Sequence, residues 1–215
     1  MKINSILIGK GRGSAGNVTV TQLKGQTILK QKATIVANPR TEAQMTQRRM
    51  MNRAVYVWQL FGNALKQGFT SLLPFCSQYN TFVSVNSGIF VESTFTKENF
   101  IMSNLVGSIA SKGALGVLDF SKDDIADGDL AISLSKANLN QIAKIGDKLV
   151  CVAGSPTSAE SGYAEQIVDA VLLANNLPVV TFENVLAANA VSAIATVFVV
   201  SADGTKSTSS NWKLL

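Results

Sequence analysis

The sequence contains no histidine, which removes the most common general base and the usual imidazole ligand for metal ions. Nucleophiles that depend on a serine–histidine or cysteine–histidine pair are therefore excluded. The two cysteines, Cys76 and Cys151, are too few for a zinc cluster, and we expect them to be free thiols in a reducing compartment. We predict that the protein is not an enzyme and that it holds no cofactor and no metal.

Charged residues are scarce and unevenly placed. They make up 15% of the 215 residues, against 47% hydrophobic residues, so the chain is expected to fold and to bury much of its surface. Residues 1–75 carry eleven lysines and arginines and one acid, Glu42, whereas residues 76–215 carry eight basic and thirteen acidic residues. This division predicts either an acidic partner for the N-terminal part or contact between opposite ends of neighbouring copies.

Long apolar runs are also missing. The longest apolar region, residues 190–200, contains Ser192 and Thr196, and it is shorter than the roughly 20 residues that a membrane-spanning helix needs. The N-terminal apolar stretch is interrupted by Asn4 and Ser5, and it lacks the cleavage site of a signal peptide. We expect neither a membrane partner nor a small-molecule substrate.

The dinucleotide-binding pattern G-x-G-x-x-G occurs at residues 11–16, Gly-Arg-Gly-Ser-Ala-Gly. In a nucleotide site the last glycine opens a helix that faces the pyrophosphate. Here residues 17–21, Asn-Val-Thr-Val-Thr, have the β-branched alternation of a strand. The glycines are therefore predicted to connect β segments, with strands over residues 3–9, 17–23 and 26–36.

A long helix is predicted to begin at Thr41 and to run for roughly 25 residues to Gly68. Pro39 ends the extended segment before it, and Thr41 with Gln44 matches a capping box. One apolar face recurs at spacings of three and four, formed by Met51, Ala54, Val55, Trp58, Phe61, Gly62 and Leu65. Trp58, Phe61 and the nearby Tyr56 are expected in the core.

Arginines of the N-terminal third are the candidate interaction residues: Arg12, Arg40, Arg48, Arg49 and Arg53. Almost no acids accompany them, so phosphate binding and a solvated helix face are about equally favoured. Arg40 lies beside a helix N-terminus, where a positive charge is unfavourable. It is expected to have a partner elsewhere, either a carboxylate or a neighbouring subunit.

The remainder of the chain is predicted to be mainly β. Alternation or apolar character predicts strands at residues 81–86, 131–135 and 149–152. A small helix is expected at residues 139–145, and residues 164–173 fit either a helix or a strand.

Two turns stand out in this C-terminal part. Asp203-Gly204 is a strong hairpin signal between residues 195–202 and 205–212. Five aspartates crowd into residues 119–129, but an EF-hand alignment places Ile125 and Leu134 where oxygen ligands are required. A polar turn between strands is the preferred interpretation of the aspartates.

Three groups of residues carry a resemblance to a known family. They are Gly16-Asn17-Val18 with Asn38-Pro39-Arg40-Thr41-x-x-Gln44 and Arg48; Asn80-Thr81-Phe82-Val83-x-x-Asn86; and Phe198-Val199-x-Ser201-x-Asp203-Gly204-x-x-x-Thr208-x-Ser210. This pattern resembles a family of uncharacterised proteins from Bacteroidetes and their phages. The resemblance implies immunoglobulin-like β domains and a place among virion structural proteins, and it implies no catalytic residues.

Residues and resemblance together predict an α+β protein that is mainly β. Residues 1–75 are expected to form a basic β element and a long helix, and residues 76–215 an immunoglobulin-like β-sandwich. The expected function is a structural subunit of a phage particle, such as a head–tail connector, a neck ring or a capsid-associated protein.

This subunit is expected to assemble in the host cytoplasm with copies of itself and other virion proteins, with packaged DNA as a further partner. The alternative is a nucleic-acid-binding protein that uses the basic N-terminal third.

Overall fold

The structure is a computed structural model of the chain and describes residues 2–3, 12–23, 26–33, 35, 37–69, 76–209 and 211–215. The chain divides into two compact units, Met1–Gln44 and Met45–Leu215. Helices account for 30% and strands for 34% of it, which confirms an α+β protein with more strand than helix. Within the described ranges, no helix combines the length and the apolar character needed to cross a membrane.

The N-terminal unit is a four-stranded antiparallel sheet. Its strands are β1 (Lys2–Ile3), β2 (Gly13–Ala15), β3 (Val18–Leu23) and β4 (Gln26–Gln31). They lie in the order β1-β4-β3-β2, and we call them the N-terminal sheet.

The glycine pattern forms a turn in this sheet. Gly16 has a φ of 55° between β2 and β3, a left-handed conformation that glycine adopts at no steric cost. The predicted β connection is confirmed for residues 13–16, whereas Gly11 and most of the strand predicted at residues 3–9 lie outside the described residues.

The predicted long helix is interrupted once. Helix α1 (Glu42–Leu60) and helix α2 (Gly62–Gly68) are separated by Phe61, and the end at Gly68 is confirmed. At the start, Thr41 Oγ1 accepts from the Gln44 N–H at 3.4 Å, as an N-cap does.

A third helix, α3 (Gln78–Glu92), occupies the segment where a strand was predicted at residues 81–86, so that prediction was wrong. Ser77 caps the helix by accepting from the Asn80 N–H at 3.2 Å. Thr81, Phe82, Asn86 and Phe90 are buried along its length.

The larger unit continues after α3 with a short 3₁₀ helix and a mainly β segment. These elements are the 3₁₀ helix Met102–Leu105, β5 (Leu115–Leu118), β6 (Phe120–Ala126), β7 (Asp129–Leu134), α4 (Lys136–Ile142), β8 (Lys148–Gly154), β9 (Ser161–Ile167), α5 (Ala170–Ala174), β10 (Val179–Phe182), β11 (Ile194–Val200), β12 (Ser207–Ser209) and β13 (Lys213–Leu214). One antiparallel sheet has the order β13-β11-β8-β9 and another the order β10-β7-β6, while β5 and β12 pair in parallel.

The inner strands β8 and β11 of the sheet β13-β11-β8-β9 are buried on both faces, and their side chains alternate between two cores as strand geometry requires. Val150 and Phe198 lie in the core that the helices share. Leu149, Cys151 and Val197 lie in the core shared with β6, β7 and β10. The larger unit therefore has three layers: helices, a central sheet, and a smaller sheet with α4.

These layers differ from the predicted organisation in two respects. The immunoglobulin-like sandwich is not confirmed, because helices cover one face of the central sheet and the β5–β12 pair is parallel. The chain divides after Gln44, and not between residues 75 and 76, because Ala54 and Leu65 of α1 and α2 share a core with α3 and the central sheet.

Candidate interaction surfaces

Four of the five candidate arginines have exposed side chains. Arg12 precedes β2, Arg40 precedes α1, and Arg48 and Arg49 lie on α1. A residue that binds a partner must be exposed, and these four arginines meet that requirement. Binding by them stays a prediction.

Arg53 is half-buried, and its guanidinium bonds to two backbone carbonyls of the larger unit. Its Nε donates to the Phe95 carbonyl and its Nη1 to the Phe90 carbonyl, both at 2.8 Å. The guanidinium also lies 5.7 Å from the centre of the Phe95 ring. Phe90 is in the last turn of α3, so the positive charge meets the negative end of that helix. Desolvation and then the charge of Arg49 lower the pKa of Arg53.

A polar cluster joins α2 to the central sheet beside a cavity of about 460 Å³ that Trp58 and Tyr163 help to line. Glu165 on β9 is its centre. Gln67 Nε2 donates to Glu165 Oε1 at 2.8 Å, and Lys148 Nζ lies 2.9 Å from Oε2. The Tyr163 hydroxyl donates to the same carboxylate.

These contacts fix the protonation of the cluster. The hydrogen bond from Tyr163, followed by those from Lys148 and Gln67, lowers the pKa of Glu165 to about 2. Burial and the neighbouring Glu165 raise the pKa of Tyr163. Neither group therefore has the pKa near 7 that acid–base catalysis favours. At neutral pH the carboxylate is ionised and the phenol is protonated. The hydrogen bonds and ion pair of the cluster connect α2, β8 and β9.

The aspartate-rich segment forms the β6–β7 hairpin, which confirms the predicted turn. Asp127 and Gly128 have φ angles of 52° and 92° and occupy the turn. Asp119 makes an ion pair with Lys213, and Asp129 Oδ1 accepts from the Asn184 N–H at 2.8 Å. In the described part of the chain, no group of three or more acidic, cysteine or histidine side chains is placed to hold a metal ion.

A further surface is formed by β9, α5 and β10, and we call it the β9–β10 flank. β9 is the end strand of the central sheet and β10 the end strand of the smaller sheet. A groove of about 380 Å³ lies at this flank, and its lining includes Ile167, Val171 and Val179. Asp169 and Glu183 are the charged side chains of the lining.

Reasoning from the sequence did not identify this flank, because residues 164–173 fit both a helix and a strand. The segment in fact contains the end of β9 and most of α5, which Asp169 caps by accepting from the Leu172 N–H at 2.7 Å. The available signal was the proximity of apolar Ile167 and Val171 to the acidic Asp169.

Comparison with known proteins identifies a family. The sequence profile of a family described as a family of unknown function (DUF6266) matches residues 10–212. The chain therefore belongs to this family. No curated protein matches the chain, and no solved structure matches it.

Proposed function

We propose that this chain is a structural subunit that works by assembling with copies of itself. The observation that supports this most strongly is the exposure of the N-terminal sheet. Of the described side chains in residues 12–44, Thr27 alone is buried. A sheet is normally stable when one of its faces packs against another layer, so the N-terminal sheet needs cover.

Apolar residues of this unit point to the same need. Val18 is 37% exposed, Leu23 61% and Ile35 89%. Covering a side chain of this size contributes about 1 to 2 kcal/mol. Assembly would supply the buried surface that the described part of this unit lacks.

The charge distribution favours another copy as the covering partner. The N-terminal unit, residues 1–44, carries seven basic residues and one acid, whereas residues 45–215 carry twelve basic and thirteen acidic residues. The basic N-terminal unit is therefore complementary to acidic surface on the larger unit of another copy. Together with the resemblance to virion proteins, this leads us to propose a phage particle as the setting, in a connector, a neck ring or a capsid-associated layer.

Nucleic-acid binding is the second candidate, and the exposed basic residues favour it. They are Arg12, Lys30, Lys32, Arg40, Arg48 and Arg49. Binding to a nucleic acid would weaken steeply with salt, because each neutralised phosphate releases a counterion.

Sedimentation velocity of the full chain over a concentration series tests the first candidate. A defined oligomer is expected, and a species that stays monomeric and joins no particle would refute self-assembly. The second candidate is tested by DNA and RNA binding at several salt concentrations, with Arg48 and Arg49 replaced by alanine and Arg53 retained because of its internal bonds.

The matched control replaces Lys97 and Lys122, two exposed basic residues of the larger unit. Weaker nucleic-acid binding and a flatter salt dependence for the arginine variant alone, with unchanged assembly, would favour the second candidate. Weaker assembly for the arginine variant alone would favour the first.

A further inference from the structure

We propose that the β9–β10 flank is the docking site for the N-terminal sheet of a second copy of this chain. This inference rests on the proposed function, because it names the surface through which the copies meet.

Exposed apolar side chains are concentrated on the flank. Ile167 is 61% exposed, Val171 75%, Leu177 75% and Val179 41%, and all four lie within one short segment of the chain. A single exposed apolar residue is ordinary, but a group of them around a groove indicates a surface for a partner.

The flank also presents the edges of two sheets. β9 pairs with β8 and β10 pairs with β7, and no other described strand pairs with either. Free strand edges carry backbone donors and acceptors that can pair with a strand of another chain. The N-terminal sheet offers such a strand, because β2 lies at its edge and all three β2 residues are exposed.

Charge selects between the possible occupants of the groove. Among the described residues of its lining, two carry carboxylates, Asp169 and Glu183, and none is basic. Lys30 and Lys32 are exposed at the end of β4 and just beyond it. The groove therefore attracts the N-terminal sheet and repels the phosphates of a nucleic acid.

In this docking, the N-terminal sheet and the β9–β10 flank would each cover exposed apolar residues of the other. The N-terminal sheet exposes Val18 and Leu23, and the flank exposes apolar residues of similar size. A second copy is thus the partner whose strand edge, charge and apolar residues match the flank at once.

Charge reversal in two full-length variants tests the pairing. Glu183→Lys changes the groove, and Lys30→Glu with Lys32→Glu changes the sheet; Asp169 is left intact because it caps α5. Each variant alone is expected to associate at least tenfold more weakly than wild type in sedimentation velocity. An equimolar mixture is expected to recover association, because the sheet of the first variant and the groove of the second are both native.

The apolar part of the surface is tested with Val171→Ser, which is expected to weaken association. Its matched control is Val191→Ser, since Val191 is 84% exposed on a different segment. Glu98→Lys, on an exposed loop, is the control for Glu183→Lys. Thermal unfolding of every variant verifies that the fold is retained.

The possible outcomes separate the two proposals. If the wild type associates and the flank variants associate equally well, the flank assignment is wrong and self-assembly stands. If each charge variant is weakened but the mixture does not recover, these two surfaces do not meet. If the wild type is monomeric at every concentration and joins no particle, both proposals fail.

Discussion

Replacing Asn86 with alanine is expected to destabilise the larger unit by about 3 kcal/mol. Asn86 is fully buried on α3. Its Nδ2 donates to the Ile109 carbonyl at 2.9 Å and to the Phe82 carbonyl at 3.2 Å, and its Oδ1 accepts from the Ile109 N–H at 2.8 Å. One side chain thus satisfies both backbone groups of Ile109.

The magnitude follows from the groups that alanine would leave without a partner. A buried donor or acceptor that loses its partner costs about 1 to 3 kcal/mol. Two such groups at Ile109, which is half-buried, give a total of about 3 kcal/mol. Asn86→Asp keeps the size of the side chain but replaces the donor with an acceptor, so it is expected to be destabilising at neutral pH as well.

Urea unfolding followed by tryptophan fluorescence measures this loss, since Trp58 packs on Phe82 of the same helix with ring centres 5.5 Å apart. The matched control is Asn80→Ala, an exposed asparagine on the same helix, with an expected change below about 0.5 kcal/mol. If Asn86→Ala lowers the free energy of unfolding by less than about 1 kcal/mol, the hydrogen bonds between Asn86 and Ile109 contribute little to stability.

Three further predictions concern the pH dependence, a helix cap and a close contact. The folded-state pKa of Glu165 is about 2, against an ordinary value of 4.5. The ionised carboxylate therefore stabilises the fold fully at pH values above 4.5, and this stabilisation is lost as the pH falls toward 2. Acid titrations should therefore show the stability difference between wild type and Glu165→Gln shrinking over that window, and a difference independent of pH would contradict it. In thermal unfolding, Thr41→Ala should lower the free energy of unfolding by on the order of 1 kcal/mol, and Thr41→Ser should leave it almost unchanged. Equal stability of the alanine variant and the wild type would mean that the helix starts elsewhere. Gly162→Ala should be strongly destabilising in urea unfolding, because the new Cβ would lie 2.4 Å from Val185 Cα. The control Gly88→Ala, which has open space around it, should be neutral or stabilising. Equal stabilities of the two variants would refute the close contact at Gly162.

Local signals predicted the elements that are decided locally. The Thr41 cap and the spacing of apolar residues gave the start and end of the α1–α2 region. Strands β8 and β11 were recognisable because their segments are short, apolar and rich in β-branched residues. The break at Phe61 was not predicted, although Gly62 and Asn63, which follow it, have low helix propensity.

The strand predicted at residues 81–86 failed because tertiary contacts override an alternating pattern. Phe82 packs against the rings of Trp58, Phe69 and Phe90, with centres between 5.5 and 5.7 Å apart. A helix places Phe82, Asn86 and Phe90 on one face, toward the core.

The C-terminal hairpin was predicted in part. Its turn is present, since the Ser201 N–H donates to the Thr205 carbonyl at 2.8 Å and Gly204 has a φ of 84°. After Lys206 the chain leaves the hairpin, and β12 pairs with β5 instead of continuing along β11. The Ser207 hydroxyl accepts from the Val199 N–H of β11 at 2.7 Å. Pairing with a distant strand carries no local signal.

The interaction surfaces show the same limit. Arg53 resembled the other helix arginines in the sequence, but its partners Phe90 and Phe95 are 37 and 42 positions away. The β9–β10 flank depends on which strands end the two sheets, and strand order is a property of the whole fold.

Amide hydrogen exchange in β3 and β4, measured over a concentration series, tests most directly whether another copy covers the N-terminal sheet. The expected result is slow exchange that appears together with the oligomer mass and is lost on dilution to the monomer. Fast exchange at every concentration, or protection that is already complete in the monomer, would contradict assembly through this sheet.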